Sequence, residues 1–102
     1  NFTFFNAPAA LFCFVDRQMG PPQWSDLGMF LQTFMLLAKE AGLDTCAQEA
    51  WSMKHESVSS FVNASEDEML FCGISIGYQD HDAPINQLVS TRRPIEDWAI
   101  FL

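Results

Sequence analysis

From Leu27 to Ala38 the chain reads Leu-Gly-Met-Phe-Leu-Gln-Thr-Phe-Met-Leu-Leu-Ala, a helix-length stretch that is apolar on nearly every side. A helix that is hydrophobic all round has to be covered all round, and a chain of 102 residues has little to cover it with. A domain of this size buries only roughly two thirds of the surface its unfolded chain exposes. The stretch therefore predicts either a very tight shell around one helix or a second polypeptide against its outer face. We expect the second: an oligomer, a homodimer or a complex with a complementing chain, that buries the Gly28–Ala38 helix between chains.

A membrane span is not expected. A span needs about 18 to 20 uninterrupted apolar residues, and this stretch is interrupted by Gln32 and Thr33 and flanked by Asp26, Lys39 and Glu40. The formal net charge of −8 weighs against nucleic acid, because phosphates are held by clustered Lys and Arg and only Arg92 and Arg93 of the five cations are adjacent. Cys13, Cys46 and Cys72 are odd in number, sit in apolar or strand-like settings and lack metal-ligand spacing. They read as reduced thiols of a cytoplasmic protein, and no signal peptide is recognisable. The greasy start, Asn1-Phe2-Thr3-Phe4-Phe5, is expected of the C-terminal portion of a longer protein or of a truncated reading frame. No linker or repeat divides the chain, so one domain over residues 1–102 is expected.

Ala9 to Val15 is a continuous apolar run bounded by Pro8 and Asp16, which predicts a buried strand, central in a sheet. Gly20-Pro21-Pro22 forms a loop, and Gln23-Trp24-Ser25-Asp26 opens the long helix, which runs to about Ala41. Gly42 suits the left-handed position that commonly ends a helix. Thr45 to Glu49 predicts a short extended connection, and Trp51 to Val62 a surface helix. After the acidic turn Asn63–Glu68, Met69 to Tyr78 predicts a second buried strand able to pair with the first, with Gly73 and Gly77 as places of close approach or a bulge. From Gln79 the chain is irregular and ends in Trp98, Ile100, Phe101 and Leu102, a tail that needs a surface to lie on.

Most familiar chemistries find no support. Asp80-His81-Asp82 are adjacent and His55 is distant, which does not make a converging metal set. Ser25, Ser75, the three cysteines and both histidines show neither a nucleophile elbow nor paired spacing, so a hydrolase is not expected.

The phrase Gly42-Leu43-Asp44-Thr45-Cys46-Ala47-Gln48-Glu49-Ala50-Trp51 resembles the flavin-contacting segment of the nitroreductase family, with Ala47 where proline is usual. Around it, in the family's order, stand Trp24-x-Asp26-x-Gly28 followed by Gln32, the Phe71–Tyr78 strand with Ala83-Pro84-Ile85-Asn86 behind it, and Arg92-x-Pro94. The resemblance covers essentially the whole chain. It implies an α+β fold, with a mixed sheet, surrounding helices and a long central dimer helix, of which this chain carries the C-terminal part.

The resemblance also implies FMN as cofactor and NAD(P)H as co-substrate, with hydride passing through the flavin to a small-molecule acceptor: a nitroaromatic, a quinone or a similar compound. It puts main-chain amides around Glu49 and Ala50 near the flavin N5 and O4, with Ala47 and Gln48 flanking one ring face. Arg92 matches the arginine that reaches the FMN phosphate, a use suited to a rigid, always charged fork, and Arg93 beside it is the lesser candidate. Where members often carry a second basic residue or polar partner a few positions earlier, this chain has Val89 and Ser90. No catalytic acid or base is named, because the cofactor carries the chemistry. Gly28 is expected to be a close-packing point between helices, and Gln32 a polar group inside the helix interface. Outside the family pattern, Glu49 reads as a solvated carboxylate at a helix exit and Arg92 as a solvated cation. The family's arginine-rich N-terminal phrase and its ring-covering middle segment have no counterpart here. Two alternatives follow: a flavin-free module that dimerises without catalysis, and a site completed by another chain.

Overall fold

The computed structural model describes residues 2–102. In chain order it contains a 3-10 turn (Phe4–Asn6), strand β1 (Ala9–Asp16), helix α1 (Pro21–Glu40), strand β2 (Asp44–Gln48), a 3-10 turn (Glu49–Lys54), helix α2 (His55–Val62) and strand β3 (Glu68–Gly77). Two further 3-10 turns follow, Pro84–Gln87 and Ile95–Asp97. The class is α+β, as expected.

The strands form one sheet in the order β1-β3-β2, both pairings antiparallel. The portion of the expected mixed sheet that this chain carries is therefore its antiparallel portion. β1 and β3 pair as expected, but β1 is not central: it holds an edge, and β3 lies between its two neighbours. β3 is the longest strand and carries Leu70, Cys72 and Ile74 in the core, whereas β1 begins with the exposed Ala9 and Ala10. Cys13 faces Cys72 and Phe14 faces Leu70, so Phe71 is the extra residue of a bulge on β3. The expected Thr45–Glu49 connection is the strand β2 and the residue after it.

α1 begins two residues earlier than the sequence reading put it. Pro21 and Pro22 occupy its first turn, where a missing N–H costs nothing and a fixed φ suits the helix, and Gly20 is its extended N-cap. The end falls where expected: Gly42 has φ +80°, the Leu43 amide donates to the Ala38 carbonyl at 2.9 Å and the Gly42 amide to that of Lys39 at 3.0 Å. That pair of bonds is the left-handed glycine stop. The expected Trp51–Val62 helix is divided, its first part being the 3-10 turn. α2 ends on Asn63 in the left-handed conformation, with the Ala64 amide on the Ser59 carbonyl at 2.9 Å.

The core lies between the sheet and one face of α1, where Leu31 meets Cys13, Cys72 and Ile74, with Leu27 and Phe34 packed alongside. The other face is bare. Met29, Phe30, Leu36 and Leu37 are 62%, 59%, 61% and 59% exposed. Gln32 is exposed too, and a Cβ on Gly28 would meet nothing within 4 Å, so neither packs against another helix of this chain. The accessible surface is 8013 Å², whereas a compact monomer of this mass exposes about 5,800 Å². The radius of gyration is 16.2 Å, against about 13 Å for a compact domain of about this length. Apolar side chains are exposed on the outer face of α1 and in the tail, where Val89, Trp98, Ile100, Phe101 and Leu102 face solvent. Among the described residues no helix is long and apolar enough to cross a membrane.

Candidate functional site

The run from Asp44 to Trp51 is held at three points. Asp44 accepts from Lys39 Nζ at 2.6 Å and from the Gln79 amide at 2.9 Å, so one carboxylate joins the end of α1, the start of β2 and the exit from β3. The Lys39 ammonium, helped by that amide, holds the Asp44 carboxyl below the ordinary aspartate range. Midway, the buried Ser75 hydroxyl donates to the Cys46 carbonyl at 3.3 Å. At the far end Gln48 pairs with Gly73 and is itself buried.

Beyond Gln48 the chain leaves the sheet. Glu49 and Ala50 open the 3-10 turn, and both are exposed. The first amides of a helical turn have no partner within it, and the N-cap Gln48 contributes no side-chain cap bond. The Glu49 carbonyl accepts from Ser52 Oγ at 2.8 Å, which closes the turn. Ala47 is exposed on an edge strand, so between Ala47 and Ala50 the main chain is approachable past two methyl groups and one outward-facing carboxylate.

Trp51 anchors this turn from behind. Its indole lies against the glycine at position 73: a Cβ built there would stand 2.5 Å from Trp51 Cδ1 and 2.9 Å from Phe4 Cε1. Phe4 stacks on Trp51 at 4.4 Å, and Phe2 and Phe12 meet it edge-on at 5.2 and 5.1 Å. Phe4, Phe5 and Asn6, all with positive φ, make the left-handed turn that brings Phe4 there. This aromatic group lines a cleft of about 500 Å³ with Lys54, Val58 and Phe61. The buried Trp51 Nε1 has no acceptor among the described residues. A second cleft, about 340 Å³, lies between the end of β1 and α1 beside Asp16, Gln23 and Asp26.

Of the site residues expected from the sequence, Ala47, Gln48, Glu49 and Ala50 form one continuous surface at the end of β2. Arg92 lies in the tail, where one terminal nitrogen donates to Ser90 Oγ at 2.7 Å and to the Thr91 carbonyl at 3.0 Å. Ser90 is thus a partner of Arg92. Arg93 donates to the Asp97 carbonyl at 2.9 Å. None of these bonds reaches residues 47–50. The sequence reading missed the aromatic support behind Trp51. Its signal was Gly73, a strand glycine flagged for close approach; Gly77 answers the same expectation, since a Cβ there would lie 2.7 Å from Pro8 Cδ. Among the described residues no group of three or more His, Cys, Asp or Glu could hold a metal ion.

The nitroreductase family model matches residues 1–78. The chain is 38% identical over its whole length to a nitrobenzene nitroreductase of Ectopseudomonas oleovorans and 37% identical to a chloronitrobenzene nitroreductase of Comamonas testosteroni, spanning 45% of each. Among solved structures it superposes on the FMN and NADPH-dependent nitroreductase NfnB of sphigopyxis sp. strain HMH with a TM-score of 0.94 and 40% identity, covering the whole chain and 46% of that one. NfnB of Mycobacterium smegmatis, solved in complex with NADPH, gives 0.92 at 27% identity over 97% of the chain and 44% of that one. The chain thus spans less than half the length of these relatives, and the part it matches is their C-terminal part. With the motif order, the sheet and the family model in agreement, the chain belongs to the nitroreductase family.

Proposed function

We propose that this chain is the C-terminal portion of an FMN-dependent oxidoreductase that takes hydride from NAD(P)H and delivers it to a nitroaromatic, quinone or similar acceptor. The observation that carries the reading is the exposed start of the 3-10 turn at Glu49 and Ala50, where no side chain of the N-cap residue bonds the first amides, beside the exposed edge strand at Ala47. A planar, hydrogen-bonding ring fits such a surface: small side chains leave the main chain approachable, and the amides supply donors fixed in direction. FMN, when bound, supplies two-electron transfer. The chain's own share is to orient and to donate. Amides at residues 49 and 50 donate to the ring's polar edge, where preorganised dipoles answer changing charge without a titrating side chain. Gln48, buried at the end of β2, fixes where the turn begins. Arg92 is the residue we assign to the phosphate; its contacts to Ser90 and Thr91 occupy one terminal nitrogen of a five-donor fork.

The same reading gives α1 a partner. The surplus surface of the whole chain, tail included, is about 2,200 Å² above the expectation for a compact monomer, against the roughly 800 Å² per partner of a standard interface. A second copy, or a chain supplying the remainder of the relatives' length, covers Met29, Phe30, Leu36 and Leu37 in this reading. The reading that competes is a dimerising module without flavin, in which the exposed outer face of α1 is the working surface.

The test is an FMN titration of the purified chain followed by visible absorption, with sedimentation of the same samples, on the parent and on Ala50→Pro. Proline is tolerated in the first turn of a helix but has no N–H to donate. Flavin bands sedimenting with a dimer or larger assembly, and weakened in Ala50→Pro, are the expected result. A colourless assembly that takes up no FMN leaves the dimerising module.

A further inference from the structure

Cys13 on β1 and Cys72 on β3 are directly opposed in the antiparallel register, and both lie beneath Leu31 of α1. They are free thiols, 7% and 1% exposed, and each affects the ionisation of the other. Opposed residues of an antiparallel pair have Cα atoms about 4.5 to 5.5 Å apart, inside the range of about 4.4 to 6.8 Å that a disulfide spans. The bulge at Phe71 adjoins the pair and gives this part of the ladder local freedom to adjust.

We propose that Cys13 and Cys72 are a modification site: a cross-strand dithiol that a peroxide closes to a disulfide, locking β1 to β3 beneath α1. This is independent of flavin binding. In the first step the Cys13 thiolate attacks one oxygen of hydrogen peroxide. The O–O bond breaks, hydroxide leaves and is protonated to water, and Cys13 becomes a sulfenic acid. In the second step Cys72 attacks the Cys13 sulfur. The S–O bond breaks, the S–S bond forms, and the departing hydroxide takes the Cys72 proton as a second water. The two thiols lose two electrons, and the peroxide gains them.

The order of attack follows from the setting. Burial pushes the Cys13 thiol up, with Cys72 beside it partly offsetting the rise, whereas burial first and the neighbouring Cys13 second push the more deeply buried Cys72 up to about 12. Cys13 is therefore the readier of the two to ionise. Thiolate is the reacting form, so the closed core reacts slowly and oxidation follows the lifting of α1 from the sheet.

The experiment uses the whole chain carrying Cys46→Ser, which removes the exposed thiol. It is treated with hydrogen peroxide, quenched, unfolded, alkylated and weighed intact, then mapped by peptides. The expected product is lighter by about 2 Da before alkylation, refuses alkylation at both remaining cysteines, contains a Cys13–Cys72 cross-link and reverts with dithiothreitol. Its formation accelerates in sub-denaturing urea. Recovery of both thiols in alkylatable form under conditions that oxidise Cys46 in the parent chain overturns the proposal, as does accumulation of Cys13 sulfinic acid with Cys72 still free.

Discussion

The indole of Trp51 occupies the space that a side chain at Gly73 would need, with Cδ1 2.5 Å from the position of a Cβ. Gly73 is opposite Gln48 in the sheet, and Trp51 is two residues past Glu49. The glycine therefore sets how closely the turn carrying residues 49 and 50 lies on β3.

Gly73→Ala forces the indole and the Phe4 ring outward. Overpacking of this kind costs about 1 to 3 kcal/mol, and here it moves the turn as well. Urea denaturation followed by circular dichroism measures the loss of stability, and tryptophan fluorescence of the folded state reads the displaced ring.

Gly42→Ala separates backbone strain from packing. A Cβ there meets nothing within 4 Å, yet φ is +80°. The left-handed conformation costs an L-residue roughly 1 to 2 kcal/mol, so the variant loses about that much stability while keeping the same fold. Chemical denaturation with an unchanged slope checks both parts.

Asp44 gives a pH dependence of definite sign. Its carboxyl is held below the ordinary aspartate value of 3.8, chiefly by the Lys39 bond. A depressed folded value means that the stabilisation is fully present above 3.8 and is lost as pH falls below it through the folded value. Asp44→Asn flattens that part of the acid limb. Denaturant midpoints of parent and variant, taken from neutral pH down to the acid transition, should converge as pH falls; parallel curves would show that the Lys39 pair carries no linkage.

The two faces of α1 make opposite predictions. Leu31 is buried against Cys13, Cys72 and Ile74, and Leu31→Ala costs about 2 to 5 kcal/mol, as buried Leu truncations do. Leu36 is exposed on the other face. Leu36→Glu is expected to leave the helical signal in place and to disrupt the assembly proposed for that face, which sedimentation velocity reads directly. An unchanged assembly in Leu36→Glu sinks the proposed interface.

The sequence announced much of this architecture because its signals were local. The apolar run in α1, the stop at Gly42 and the apolar run of β3 each reflect a preference satisfied within a few residues. The same local character explains the errors. Ala9–Val15 and Met69–Tyr78 are equally greasy runs, and nothing within either says which has two neighbours; only pairing with both β1 and β2 makes β3 central. β2 is short and mostly polar, so its strand conformation comes from the ladder it joins rather than from its own pattern.

For the site the division is similar. The phrase Gly42–Trp51 pointed to residues 47 to 50 as candidates and named the family, since its spacing follows from a glycine stop, a short strand and a turn in immediate succession. Three relationships waited for the tertiary structure: Trp51 over Gly73, Asp44 joined to Lys39 and Gln79, and Cys13 facing Cys72. Each joins residues set by register or by the packing of one element on another, and register is a property of two strands together. By itself the sequence determined that this chain has one long apolar helix it cannot cover. The tertiary structure decided which face of that helix the sheet takes, because only the folded sheet fixes where Cys72 and Ile74 stand for Leu31 to meet, and so which face is left for a partner.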